Sequence, residues 1–214
     1  LIIMSIKSSR KIFKPLVFAA CLMPLAWLAY ALYSDTVLGT KLMTADPIQK
    51  LDRELGDWAL ILIVLSLTVR PLAEIFKKGE LVGYRRMIGL FAFFYVCLHL
   101  SSYIVLNLQL DFDEFIKDVT KRNFITIGII AFTLLTPLAI TSTKGMIKRL
   151  GGKRWQKLHM LIYAIVLLGV FHFFMMIRAD FTRPSIYLGI ILVLLGYRYW
   201  AKWRKSRPRK AVAT

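Results

Sequence analysis

The chain holds three histidines, and each lies in an apolar run. His99 ends MIGLFAFFYVCLH, while His159 and His172 stand thirteen residues apart in LHMLIYAIVLLGVFHFF. An ionisable side chain in hydrocarbon is costly, so it has a partner and often a function. Neutral imidazole is a good axial ligand for haem iron. Two histidines separated by most of a membrane helix, with a third on another helix, point to iron held inside a helix bundle. His99, His159 and His172 are then the candidate ligands. The competing reading is a hydrogen bond from each ring to a neighbouring carbonyl between helices.

The elements that must carry these rings are membrane helices. Of the 214 residues 57% are hydrophobic and the mean hydropathy is +0.60, far more apolar than a soluble domain of this length. About 20 apolar residues span the hydrocarbon. Six such runs are present, at roughly 15–33, 57–76, 86–106, 124–141, 157–177 and 184–201. The expected fold is an all-α membrane protein, a six-helix transmembrane bundle. Residues 1–14 form a basic N-terminal segment, 15–201 the haem-binding membrane domain and 202–214 a basic tail. The first run is too long for a typical signal-peptide core and lacks a clear small-residue cleavage site, so it reads as a signal-anchor helix.

A net charge of +18 invites a nucleic-acid reading, but the distribution excludes it. The basic residues alternate with the spans instead of forming one patch. Lys7, Arg10, Lys11 and Lys14 precede the first span, and Lys77, Lys78, Arg85 and Arg86 join the second and third. Lys144, Lys148, Arg149, Lys153, Arg154 and Lys157 join the fourth and fifth, and Lys202, Arg204, Lys205, Arg207, Arg209 and Lys210 follow the sixth. The acids Asp35, Asp46, Asp52, Glu54, Asp57, Asp111, Asp113, Glu114, Asp118 and Asp180 fall in the other loops. Positive charge in short loops marks the cytoplasmic side. Both termini are therefore expected in the cytoplasm.

Spans three and five then run in the same direction. His99 and His172 should lie at similar depth on the outer side, as a bis-histidine site. His159 and Arg85 should lie at similar depth on the inner side. Arg85 precedes His99 by fourteen residues, close to four helical turns and about 21 Å of rise, so both project from nearly one face. His159 and His172 fall short of four turns. Either the helix is irregular, with Gly169 the suspected place, or the two rings face different directions. Arginine is a poor iron ligand because it stays charged, but it pairs well with a haem propionate or a flavin phosphate. For Arg85 and Arg86 the competing reading is topogenic charge at a helix start.

Smaller features have plainer readings. Asp46-Pro47 resembles a helix start. Phe112, Phe115, Ile116 and Val119 repeat at helical spacing, which predicts a short amphipathic helix on the outer interface. Trp155 reads as an interfacial anchor or the cover of a cofactor edge. Tyr103 reads as interfacial, with a hydrogen bond near the outer site as the other option. Ser101, Ser102, Thr136, Thr141, Ser142 and Thr143 are candidate interhelical hydrogen-bonders. Gly145, Gly151 and Gly152 read as turn-formers. Cys21 and Cys97 sit in spans and imply no disulfide.

The stretches TVRPLA, RRMIGL, LHLSSY, ITSTKG, LGGKRWQKLHMLIY and FHFF closely resemble the MsrQ (formerly YedZ) family. The resemblance covers roughly Pro15 to Trp200, and RRMIGL-x₈-LHLSSY together with GKRWQKLH-x₁₂-H is its specific part. The wider group is ferric-reductase-like, and many of its members carry two histidines on each of two helices. Here Arg85 stands where the first histidine of span three would, which leaves the inner site one imidazole short and a second haem open. The resemblance implies haem b, at least one, and FMN. It implies electrons from the respiratory quinone pool or a cytoplasmic flavin reductase. It also implies delivery to a periplasmic molybdopterin methionine sulfoxide reductase subunit, MsrP-like, from the bacterial inner membrane. The expected docking surface is the outer loops at about 34–56, 107–123 and 178–183. Two other classes compete: a small transporter or channel subunit using the histidines for protons or metal, and an assembly factor. The spans lack paired acids and a two-half repeat, which counts against transport.

Overall fold

The computed structural model describes residues 2–206, with side chains described from Phe13 onward save Lys205. The side chains of Lys7, Arg10 and Lys11, and residues 207–214 of the expected tail, lie outside the described residues. Nine α-helices are present among those described: α1 (Ile2–Val37), α2 (Pro47–Ile75), α3 (Val82–Ser102), α4 (Phe112–Lys121), α5 (Asn123–Ile140), α6 (Lys144–Leu150), α7 (Gly152–His159), α8 (Ile162–Met176) and α9 (Thr182–Ser206). Six segments are long and apolar enough to cross a membrane: Phe13–Val37, Pro47–Ile75, Gly79–Asn107, Asn123–Ile140, Gly152–Met176 and Thr182–Arg204. The chain is thus an all-α, multi-pass membrane protein. An even number of crossings puts Phe13 and Arg204, the start of the first span and the end of the sixth, at one end of the bundle, here called the near end.

The second span is the centre of the bundle. Half of its most apolar window is buried, against 17–22% for the other five, so it is the most enclosed of the six. Its start is set by Asp46, whose side chain accepts from the Gln49 amide at 2.9 Å, with Pro47 in the first turn. The Asp–Pro signal is therefore a real helix start, and α2 begins ten residues earlier than the apolar run alone implied. That corrects the reading of Asp52, Glu54 and Asp57 as loop acids. All three lie on α2, and Asp57 is buried.

Tyr95 on α3 ties the first span to the third. It is fully buried, and its hydroxyl accepts from Leu25 N at 3.1 Å and donates to Cys21 O at 2.9 Å. Those two backbone groups would pair in an unbroken helix. Pro24 stands beside them, and the Tyr95 hydroxyl bridges the ladder where a proline disturbs it.

The fifth crossing is broken. α7 ends at His159 and α8 starts at Ile162, with i→i+3 bonds Leu161 N→Leu158 O (3.0 Å) and Tyr163 N→Met160 O (3.1 Å) between them. The irregularity that thirteen residues required is at Met160–Leu161. It is not at Gly169, which lies inside α8 and faces Leu60. At the opposite, far end α4 is the expected amphipathic helix. Asp111 caps it, accepting from Glu114 N at 2.9 Å, and its acids stand in the first turn with Lys121 in the last, as the helix dipole favours. Phe112 and Ile116 are exposed and Phe115 and Val119 half-buried.

Candidate functional site

Span two, span three and span five bring His99 and His172 together at the far end. Their ring centroids are 6.3 Å apart and the rings nearly perpendicular, at 79°. Each ring is aimed by a backbone carbonyl of a different helix or helix start. His99 Nδ1 donates to Asp52 O at 2.9 Å, and His172 Nδ1 donates to Phe124 O at 2.6 Å. A carbonyl can only accept, so the proton of each neutral ring is on Nδ1 and Nε2 keeps its lone pair. The carbonyl reading and the metal reading are therefore compatible: one nitrogen orients the ring and the other remains available, as in metal sites generally.

Two glycines make room for the rings. A Cβ at Gly56 would come within 3.2 Å of His99 Cε1, and one at Gly128 within 3.1 Å of His172 Cε1 and Nδ1. Larger residues there would push each imidazole out of place. Between the rings and the surrounding spans lies a cavity of about 820 Å³, within the usual range for cofactor sites. Its depth is apolar, lined by residues such as Leu60, Ile63, Phe132 and Ile165.

These features fit haem on chemical grounds. The 6.3 Å between ring centroids would leave room for one metal ion between two imidazole nitrogens at bonds of about 2 Å. Among the described residues no three His, Cys, Asp or Glu side chains group to hold a metal ion. A pair of imidazoles alone suits an iron whose other positions are filled by a macrocycle.

The polar lining of the cavity gathers at its far end: Gln49 and Arg53 on the first turns of α2, Arg178 and Asp180 between α8 and α9, and Arg183 at the start of α9, with Asp57 further along α2. Arg183 Nη2 pairs with Asp57 at 2.9 Å. Asp180 accepts from Thr182, which holds its carboxyl below the ordinary range, so it stays ionised. Tyr103 also lines the cavity. Its hydroxyl donates to the buried Asp118 of α4, which Arg122 Nε pairs at 2.8 Å. Tyr103 is thus a strut between the site and α4, at the start of a π-helical turn (Tyr103–Asn107).

The near end is built differently. His159 is apart from the other two rings. It stacks on Trp155 with centroids 3.9 Å apart, and its Nε2 lies 3.2 Å from Thr141 Oγ1. Thr141 gives its own proton to Pro137 O at 2.6 Å, so it accepts from Nε2, and Nδ1 is the nitrogen left over. Trp155 Nε1 donates to Thr141 O at 3.0 Å. Trp155 therefore covers one face of the His159 ring. Arg85 lies within electrostatic reach of His159, as expected from depth, and of Arg198, Arg70 and Tyr163. Arg86 is exposed. Arg198 donates to the Tyr163 hydroxyl and to Leu67 O (2.8 Å), while its Nε is buried without a hydrogen-bond partner.

Sequence reasoning missed Asp52, Gly56, Gly128 and Arg198. The signal for the first two was present: a helix started at Pro47 puts Asp52 and Gly56 four residues apart on one face. Of the hydroxyl candidates, Ser102 and Thr141 do bond between helices. Thr136 and Ser142 bond back to their own helix, and Thr143 caps α6. Gly151, with φ 74°, is the turn residue between α6 and α7.

A membrane helix bundle with two imidazoles converging from parallel spans defines a class, that of the redox membrane subunits. Residues 55–170 match the family model described as ferric reductase like transmembrane component. At finer grain, the chain is 46% identical over 199 residues to the protein-methionine-sulfoxide reductase heme-binding subunit MsrQ of Polaromonas naphthalenivorans, covering 92% of this chain and 88% of that protein. It is 45% identical over 196 residues to the protein of the same name from Caulobacter vibrioides, covering 90% of each, and 45% identical over 195 residues to that of Rhodospirillum rubrum, covering 91% of each. The chain belongs to the MsrQ family.

Proposed function

We propose that this chain carries electrons across the bacterial inner membrane through a b-type haem that His99 and His172 would hold. The single observation that carries the reading is the 6.3 Å separation of two rings whose Nδ1 atoms are both tied to carbonyls. When bound, haem would supply one-electron chemistry in an interior where side chains alone cannot carry electrons. The protein's own work is orientation and exclusion of water. Asp52 O and Phe124 O fix the two rings, Gly56 and Gly128 leave them room, and the apolar spans keep the cavity dry. Arg53, Arg178 and Arg183 stand where anionic groups would reach the far-end surface.

Orientation follows from charge: the basic loops and both termini on the cytoplasmic side, the acidic loops outside. Electrons enter at the near end, from quinol or a reduced flavin. Arg85 and Arg198 suit an anionic cofactor or donor there, FMN being the one attributed to the family, because the buried Arg198 Nε has a free N–H to give. His159 is reserved for this near-end site; with a guanidinium rather than an imidazole facing it, one haem is the minimum and a second is not required. Electrons leave at the far end to a periplasmic molybdopterin methionine sulfoxide reductase subunit, the relatives being named as heme-binding subunits of such a system. The chain thereby supports repair of oxidised periplasmic proteins.

The test is the visible spectrum of the purified protein. A low-spin, dithionite-reducible b-type haem is expected, lost on His99→Ala or His172→Ala. Full haem with an unchanged spectrum in both variants would overturn the ligand assignment.

A further inference from the structure

The two far-end imidazoles are not equivalent. His172 Nδ1 donates to a neutral carbonyl, Phe124 O. His99 Nδ1 donates to Asp52 O and lies also 3.2 Å from the Asp52 carboxylate. That carboxylate is nearly buried, its side chain 15% exposed. The same oxygen, Oδ1, accepts from the Ser102 hydroxyl at 2.6 Å. The neighbouring acids of α2 spend their charge on cations: Glu54 pairs with Lys50 at 2.7 Å and Asp57 with Arg183 at 2.9 Å. Asp52 has no lysine or arginine partner among the described ion pairs, so its charge falls on His99.

We infer that Asp52, steadied by Ser102, is a positioning residue that makes His99 the stronger of the two axial donors and lowers the reduction potential of the group held between His99 and His172. The inference rests on reading those two histidines as axial ligands. A carboxylate accepting the far N–H of a ligating imidazole raises its basicity and favours the oxidised, more positive state of the metal. A serine hydroxyl on the same carboxylate withdraws part of that density. The two neighbours of His99 therefore act in opposite senses.

The experiment is an equilibrium redox titration of the haem-loaded protein in detergent, followed by its visible spectrum. Asp52→Asn keeps the size and leaves the Asp52 backbone carbonyl on Nδ1, so haem content should hold. Its ratio of reduced to oxidised protein at a fixed ambient potential should rise about tenfold, which is about 59 mV. Ser102→Ala should move the potential the other way, by less. A loosened site would move both variants upward, and that result overturns the inference, as does an unchanged potential in Asp52→Asn with full haem. Should Asp52→Asn lose haem, the sign of the Ser102→Ala shift decides alone: downward supports the inference, and no shift or an upward one overturns it. Failure of the axial reading is separate and shows as full haem in His99→Ala.

Discussion

The two ends of the bundle use the same kind of side chain in opposite ways. At the far end both imidazoles have Nδ1 occupied by a carbonyl and Nε2 left over, with glycines clearing the space beside them. At the near end His159 has Nε2 occupied by a hydroxyl, one face covered by Trp155, and a guanidinium within electrostatic reach. An imidazole is made into a candidate ligand by what holds its other nitrogen and what is cleared beside it. Depth in the membrane is not enough.

The sharpest way to break this contrast is to remove the rings one at a time. His99→Ala or His172→Ala should abolish the low-spin spectrum, whereas His159→Ala should leave it in place and slow only the delivery of electrons. If His159→Ala bleached the protein as fully as the far-end variants, the near end would hold its own haem and the contrast would collapse.

The next largest effect tests the clearance. Gly128→Val puts branched bulk where even a Cβ would come within 3.1 Å of the His172 ring. Disturbing a supporting contact of a metal ligand typically costs about 10–100-fold in affinity, so haem content after purification should fall steeply. Gly89→Val, at a glycine with nothing within 4 Å, controls for the cost of a β-branched residue in a membrane helix.

How much of this was legible in the sequence divides along the same line. Span number follows from hydropathy, since lipid demands long apolar helices, and the pairing of His99 with His172 follows from two parallel crossings. What was hidden depended on where a helix begins or breaks. Asp52 and Gly56 looked like loop because the apolar run starts near residue 57, while the backbone is already helical from Pro47. The break at Met160–Leu161 carries no glycine or proline to announce it. Arg198 lies inside the sixth span, and nothing in its spacing announced that α9 would set it against Tyr163 and Leu67.

Arg198 sharpens the entry side. Charge runs at helix starts made Arg85 and Arg86 equal candidates, but Arg85 is half-buried within electrostatic reach of His159 and Arg198, whereas Arg86 is exposed. Arg85→Gln and Arg198→Gln should each slow haem reduction by reduced flavin or quinol several-fold, and Arg86→Gln should have little effect. Stopped-flow reduction at 100 mM salt separates them. Equal slowing by all three would return the arginines to a general role in topology.

The smallest effect concerns the exit. Asp111, Asp113 and Glu114 form the acidic stretch expected to meet a partner. Asp111, however, is the cap of α4, accepting from Glu114 N at 2.9 Å, and removing a cap costs about 1 kcal/mol of helix stability. Reversing it would confuse docking with folding. The side chains of Asp113 and Glu114 are not so bound up: Asp113 is exposed, and the Glu114 carboxylate makes a surface pair with Lys117 at 3.2 Å, worth little. Asp113→Lys with Glu114→Lys should leave the haem spectrum and potential untouched. It should change the rate at which the reduced protein is reoxidised by the proposed periplasmic catalytic partner, and flatten the salt dependence of that rate, because rim charges act mainly on encounter. The arginines at the cavity mouth supply the counter-experiment. If Arg53→Gln and Arg178→Gln alter the salt dependence while the α4 reversal does not, the partner meets the mouth of the cavity, and α4 serves as the strut that Tyr103 and Asp118 make of it.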